Sequence, residues 1–362
     1  MKIGILGTRG IPNHYGGFEQ FAEYLSVGLV KQGAKVWVYN SDHHPYQENT
    51  FKGVNLIRCY DPEVNIGLSG QFVYDLNCIR DSRNRDFDIL LQLGYTTNSI
   101  WCSLLPGKPR IVTNMDGLEW KRSKYKLPIR QFLKYAERLA VQSSDLLIAD
   151  SEVIRVHLLN KYQVSATFIP YGAEIYQLPE TNCLGEFGVA PRQYFLLIAR
   201  MQPDNHIEEI IKGVLKSESK LPLLIVGSTS NNHGKYLLNK FASEQIRFLG
   251  SIFEKEVLDQ LRAFSRLYFH GHSSGGTNPS LLEAMAASSL ISAHDNPFSH
   301  SVLGNDAFYF HDENEIVEII NNLPEKSKCD DFIRNNIGKI KEKYVWDNII
   351  TAYYQAFTSL LQ

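Results

Sequence analysis

Apolar residues along this chain fall into short unbroken runs alternating with stretches of helical spacing, the pattern of strands and helices taken in turn. Residues 2–7 form an apolar run ending in a glycine. A helix then opens at Phe18, with apolar positions Phe21, Ala22, Leu25, Leu29 and Val30. Gly33 is placed to end it, and 35–39 reads as the next strand. Further strands are expected at 54–59, 88–93, 110–113 and 146–149, with helices over 71–83, 129–142 and 150–159. Strand, Gly-rich loop, helix, strand is the opening of a doubly wound α/β domain. The loop lacks Gly-x-Gly-x-x-Gly, so a dinucleotide fingerprint is not supported.

After 169–173 the segment 174–192, with Pro179, Gly185, Gly188 and Pro191, reads as a linker. The pattern then restarts, with strands at 194–199, 221–226, 246–249, 266–269 and 290–292 and helices at 207–215, 254–264 and 279–287. Near the end, a charged amphipathic helix over 329–343 is interrupted at 344–347, and a last helix runs over 348–361.

At 362 residues there is room for two domains with separate cores. A formal charge of −2 gives no reason to expect a nucleic-acid partner. Five scattered cysteines without metal-ligand spacing point to a reduced, cytoplasmic protein. The N-terminus does not read as a secretory signal, and no apolar run approaches the length of a transmembrane helix.

The candidate chemistry concentrates at 270–285. Arg266-Leu267-Tyr268-Phe269 leads into a Gly-rich turn, and Pro279 suits the first turn of the helix that follows. Such a turn aims backbone N–H groups and the positive end of a helix dipole at an anion. Gly275 and Gly276 let a phosphate or sugar approach the backbone, and Glu283 can accept hydrogen bonds from paired hydroxyls. Similar turns also occur in α/β proteins that bind no anion.

This stretch resembles the donor-binding signature of the family 4 retaining glycosyltransferases: Glu, seven residues, Glu, then Ala-Met-Ala. Glu283, Ala284, Met285 and Ala286 match its second half, and the first Glu falls on Gly275. In that family the first Glu contacts hydroxyls of the donor hexose, so its loss argues against a glucose or mannose donor. The variant Ser-x-Gly-Gly-Thr-Asn-Pro-Ser-Leu-Leu-Glu-Ala-Met resembles a sub-branch that includes bacterial rhamnosyltransferases of polysaccharide assembly.

Two further segments extend the resemblance. Arg200-Met201-Gln202-Pro203-Asp204-Asn205 is similar to the family's Gly-Arg-Leu-x-Pro-Glu-Lys turn, whose Arg and Lys clamp the donor diphosphate. Arg200 matches and Asn205 stands at the Lys position. His206 beyond it either replaces that cation or is a solvated helix-start histidine. Gly16 and Gly17 match the family's glycine loop near the donor phosphates and acceptor, although a plain turn has the same sequence.

The resemblance implies an α/β GT-B fold, two Rossmann-like domains facing across a cleft. An acceptor-side domain would cover 1–175, with the helix 346–362 packing back on it, and a nucleotide-sugar domain would cover 190–344. Donor contacts would come from Gly16, Gly17, Arg200, Asn205, Gly275, Gly276, Thr277, Asn278 and Glu283. Arg200 and Glu283 would serve catalysis together with Asp116. Most of the family has His at the Asp116 position; Asp116 would orient or deprotonate an acceptor hydroxyl, or else cap a helix. Glu119 is a second acceptor-binding candidate. No cofactor and no metal are implied.

Between Lys108 and Arg138 nine basic residues face three acidic ones, with Trp120, Tyr125, Phe132 and Tyr135 among them. Such a segment suits docking on an anionic membrane surface, and a solvated basic helix face has the same composition. The resulting expectation is a peripheral enzyme at the inner face of the cell membrane. It would move L-rhamnose from dTDP-L-rhamnose to a lipid-linked glycan precursor. A UDP-hexose or GDP-sugar donor and a non-catalytic nucleotide-sugar-binding partner protein are the alternatives.

Overall fold

The computed structural model describes residues 1–14, 16–122, 124–177 and 183–362. Tyr15 of the glycine loop and Pro179 of the expected linker lie outside them.

In chain order the first elements are β1 (Lys2–Leu6), α1 (Gly17–Lys31), β2 (Lys35–Ser41), β3 (Thr50–Phe51), β4 (Val54–Cys59), α2 (Glu63–Ile66) and α3 (Gly70–Ser82). They continue with β5 (Ile89–Leu93), β6 (Arg110–Asn114), α4 (Leu127–Ser143), β7 (Leu146–Ala149), α5 (Glu152–Tyr162) and β8 (Thr167–Phe168). Among the described residues their sheet has the order β3-β4-β2-β1-β5-β6-β7-β8, parallel except for the β3–β4 pair. The central strands are unbroken apolar runs because helices cover both faces of such a sheet; every residue of β5 is buried.

The second set is β9 (Phe195–Ile198), α6 (Ile207–Lys216), β10 (Leu223–Val226), α7 (Asn232–Phe241), β11 (Ile246–Gly250), α8 (Lys255–Phe264) and β12 (Leu267–His270). Then come α9 (Pro279–Ala286), β13 (Ile291–His294), α10 (Pro297–Leu303), β14 (Phe308–Phe310), α11 (Glu313–Asn321), α12 (Asp330–Lys339) and α13 (Trp346–Leu361). The second sheet is parallel throughout, in the order β11-β10-β9-β12-β13-β14. Its core gathers Phe195, Leu197, Leu223, Ile225, Phe269 and Ile316.

The chain divides into two compact units. One comprises Met1–Lys121, Tyr125–Gly172 and Trp346–Gln362; the other comprises Arg122–Lys124 and Ala173–Val345. In the first unit α13 lies on α1. The Trp346 and Tyr24 rings stack at 4.5 Å, and Phe21 and Tyr353 meet at 5.6 Å. Glycines make this approach possible: a Cβ on Gly172 would lie 2.4 Å from the Trp346 indole, and one on Gly28 would lie 2.3 Å from Ile350.

Three sequence expectations change. The described parts of the segment read as a linker pack into the second unit: Tyr176 N–H donates to the Ala286 carbonyl, Cys183 N–H donates to Gln260, and Leu184 is buried. The last interruption narrows to Val345, because a π-helical turn over Ile340–Tyr344 prolongs α12 and α13 already starts at Trp346. Finally α2, α7, α10, α11, β3, β8 and β14 were not anticipated; each is ten residues or shorter.

Candidate functional site

In the second unit β9 and β12 are parallel neighbours, so the loops after them emerge side by side at the carboxyl end of the sheet, where α/β sheets place ligands. Four contacts bind the two loops together. Ser273 N–H and its hydroxyl both donate to the Asp204 carbonyl, at 3.1 and 2.9 Å. His206 Nδ1 meets the Gly271 carbonyl at 2.9 Å, and His272 Nδ1 meets Asn205 Oδ1 at 2.7 Å. Gly271 is required at this crossing, since a Cβ there would lie 2.0 Å from the Asn205 carbonyl oxygen. The Arg200 turn and the Gly275 turn are thus one structure.

Asn205 has both ends of its amide engaged: Nδ2 donates to the Arg200 carbonyl at 2.7 Å while Oδ1 faces His272. Its side chain holds the turn in shape, so it does not supply the cation that the position carries in the resembling family. Because Asn205 Oδ1 can only accept, His272 must carry its proton on Nδ1, which leaves the lone pair on Nε2. Nε2 sits 2.8 Å from where a Cβ on Gly275 would be, and Gly275 has φ +140°. A side chain in place of Gly275 would therefore meet both backbone strain and His272. Burial, then His270, Arg122, Arg200 and Lys124, hold the imidazole well below its usual range and hence neutral.

The surroundings are cationic. Arg200 is exposed at the end of β9, and Lys124 reaches Gln202 at 3.1 Å. Arg122 is buried and pairs with Asp204 at 3.2 Å. Ser274 Oγ is buried with no hydrogen-bond partner among the described residues. Asn278 caps α9, its side chain accepting from Ser280 N–H at 2.9 Å. This fixes the helix start above which Gly275, Gly276 and Thr277 run.

Glu283, on α9, is held by a residue that sequence reasoning missed. Arg262 on α8 is 1% exposed and donates through Nη2 to Glu283 at 2.5 Å and to Ser280 at 3.2 Å, and through Nη1 to Asp259 at 2.9 Å. Tyr268 OH closes the network on Ser280 at 2.8 Å. Burial works against the guanidinium charge, but Glu283 and Asp259 keep its pKa above the usual value. The available signal was an Arg on the apolar side of an amphipathic helix, three residues after an Asp.

The remaining candidates lie in the first unit, in loops that follow β1 and β6, the two strands that flank β5 in the sheet. Gly16 is the N-cap of α1 and Gly17 its first residue. Beneath the loop the buried Glu19 accepts from Thr8 Oγ1 and Arg9 N–H, and Arg9 forks onto Glu63 at 2.9 and 2.7 Å. Asp116 follows β6 and is half-buried. The helical turn beyond it begins at Glu119, so Asp116 does not occupy its cap position. Tyr95 OH holds the Gly117 carbonyl at 3.1 Å. Burial, with Asp116, Asp150 and Glu19 nearby, pushes the Tyr171 phenol up. The turn itself is pinned by Trp120, whose Nε1 donates to Glu137 at 2.9 Å.

Glu137 is buried and also accepts from Lys161, Tyr162 and His157. Burial opposes its charge, but these donors bring its pKa down to about 2. Several charges of the basic run from Lys108 to Arg138 are paired with acids: Lys108 with Asp86 and Arg110 with Asp145 at the surface, and the buried Arg122 with Asp204. Asp86-Phe87-Asp88, an Asp-x-Asp triplet, stands at the amino end of β5 and is occupied by Lys2 and Lys108. Among the described residues no group of three or more His, Cys, Asp or Glu is arranged to hold a metal ion, and no helix is long and apolar enough to cross a membrane.

Two Rossmann-like parallel-sheet units in one chain are the α/β architecture called GT-B, and solved GT-B structures superpose on nearly the whole molecule. Sucrose-phosphate synthase from Thermosynechococcus elongatus has a TM-score of 0.81 at 13% identity, covering 99% of this chain and 98% of that one. HepE of Anabaena in complex with UDP and glucose has a TM-score of 0.75 at 15% identity, covering 99% and 100%. The UDP-forming α,α-trehalose-phosphate synthase of Burkholderia xenovorans, in complex with glucose-6-phosphate, has a TM-score of 0.73 at 12% identity, covering 99% and 100%. Residues 1–174 match the family described as Domain of unknown function (DUF1972). No curated protein matches the chain by sequence.

Proposed function

We propose that this protein is a retaining glycosyltransferase that moves L-rhamnose from dTDP-L-rhamnose to a lipid-linked glycan precursor at the inner face of the cell membrane. The observation that carries the donor site is the joining of the Arg200 and Gly275 turns beside Arg262-bound Glu283. Arg200 and the backbone N–H groups of Gly275 to Asn278 would neutralise the departing diphosphate, where negative charge grows as the glycosidic bond breaks. Glu283 would receive hydroxyls of the ribose or of the sugar. The leaving phosphate would help deprotonate the acceptor hydroxyl, with Asp116 and Glu119 positioning the acceptor. No step calls for a metal.

The glycine at 275, with a neutral imidazole beside it, supports a donor that does not need the family's first carboxylate. A UDP-hexose donor is the second reading, favoured by the likeness to HepE, which has been crystallised with UDP-glucose.

A thermal-shift panel of nucleotide sugars on the wild type and Arg200→Ala tests both. A ligand at a hundredfold over its Kd stabilises by about 2.7 kcal/mol. dTDP-L-rhamnose is expected to shift the wild type and not the variant. A shift by UDP-glucose alone selects the second reading, and no shift by any nucleotide sugar overturns both. Donor binding without release of nucleotide, given acceptor, would mark a non-catalytic binding partner.

A further inference from the structure

Two segments of the first unit expose large apolar side chains, and the helices that carry or follow them, α3 and α4, touch. The turn from α2 towards α3 leaves Val64 74%, Ile66 54% and Leu68 71% exposed, and the start of α4 leaves Leu127 73% and Ile129 46% exposed. The turn is braced from below: a Cβ on Gly70 would lie 2.4 Å from the Glu63 nitrogen, so α3 begins hard against α2. Phe72 of α3 meets Phe132 of α4 edge-on at 5.8 Å, which joins the two segments.

The charges on α4 are mostly basic. Lys126 is the N-cap of α4, and Arg130, Lys134 and Arg138 follow along the helix. Its one acid, Glu137, is 1% exposed and consumed by internal donors. Glu63, at the edge of the apolar turn, is neutralised by the Arg9 fork. Aliphatic side chains beside cations, with the neighbouring acids paired or buried, match a bilayer interface carrying negative headgroups. A two-fold contact with a second copy would set these cations against themselves.

We infer that this face docks on an anionic lipid bilayer, with the 64–68 turn and the opening of α4 entering the headgroup layer. The inference deepens the proposed function and rests on it for the lipid-linked nature of the acceptor. It replaces the whole basic run by a smaller surface, because Lys108, Arg110 and Arg122 are already paired.

Flotation of the full chain with vesicles of phosphatidylcholine, alone or mixed with phosphatidylserine, tests it without any sugar substrate. The wild type is expected to float with the anionic vesicles only, and less at high salt. Leu68→Ser with Leu127→Ser, and separately Lys134→Glu with Arg138→Glu, should each lower partitioning roughly tenfold or more. These positions are exposed, so unchanged melting curves will show that the variants fold.

A wild type that floats with neither vesicle, or variants that float as well as it does, overturns the inference. So does a dimer in light scattering that the apolar substitutions dissolve. A nucleotide-sugar thermal shift on the same preparation separates the two proposals. A shift without flotation defeats the docking surface alone, and flotation without a shift defeats the transferase reading alone.

Discussion

Arg262 Nη2 lies 2.5 Å from Glu283 Oε2, and Arg262 is almost wholly removed from water. The carboxylate at the centre of the proposed donor site is therefore oriented from behind by a charge that has no solvent to fall back on. Arg262→Ala would leave Asp259 and Glu283 without their common partner, and a loss of about 3–5 kcal/mol in a urea melt is expected. Arg262→Lys keeps the charge but not the fork, so it should cost less stability while still weakening donor binding. Equal donor affinity in Arg262→Lys would remove the guanidinium from its positioning role.

Gly275 and His272 form the second testable pair. Gly275→Ala places a Cβ 2.8 Å from His272 Nε2 at φ +140°, a strain of about 1–3 kcal/mol. Donor KM should rise roughly tenfold, the kinetic equivalent of about 1.4 kcal/mol. Gly275→Glu, which introduces the first carboxylate of the resembling glycosyltransferases, should do no better with UDP-glucose than Gly275→Ala. A gain in UDP-glucose turnover would refute this account of the position.

Asn205→Lys, which introduces the cation of the resembling glycosyltransferases, is expected to harm the protein. It would remove the acceptor from His272 Nδ1 and the donor from the Arg200 carbonyl. Leaving buried polar groups unpaired costs about 1–3 kcal/mol. Calorimetry should register a lower Tm, and nucleotide-sugar binding should weaken as the Arg200 turn loosens.

Asp75 offers a pH test in the first unit. It is buried, takes a 2.5 Å hydrogen bond from Thr97 Oγ1, and burial raises its pKa to about 7, with Thr97 and Arg9 opposing and Asp61 assisting. Because the folded value lies above the ordinary one, the protonated acid favours folding fully below about pH 4. That contribution is lost as pH rises through about 7. Asp75→Asn should therefore melt at a higher temperature than the wild type at pH 8, with the gap closing towards pH 5. A gap independent of pH would count against it.

Much of the secondary structure was legible because burial imposes a period on each element locally. Strand β5 and helix α1 announce themselves through residues that are all buried, or buried every third or fourth place. The Gly275 turn and Arg200 were also visible, as a glycine-rich turn and a cation that follow strands.

Other features depended on which strands lie next to each other. His272 meets Asn205, sixty-seven residues away, only because β9 and β12 pair in parallel. The sequence by itself determined two α/β units and the chemical types available at the ends of their strands. Only the tertiary structure decided that Asn205 is spent on the turn, that Arg262 holds Glu283 and that Arg122 is paired. A side chain's charge is written in the sequence, but its partner is set by packing between segments far apart in the chain, and local periodicity carries no record of that.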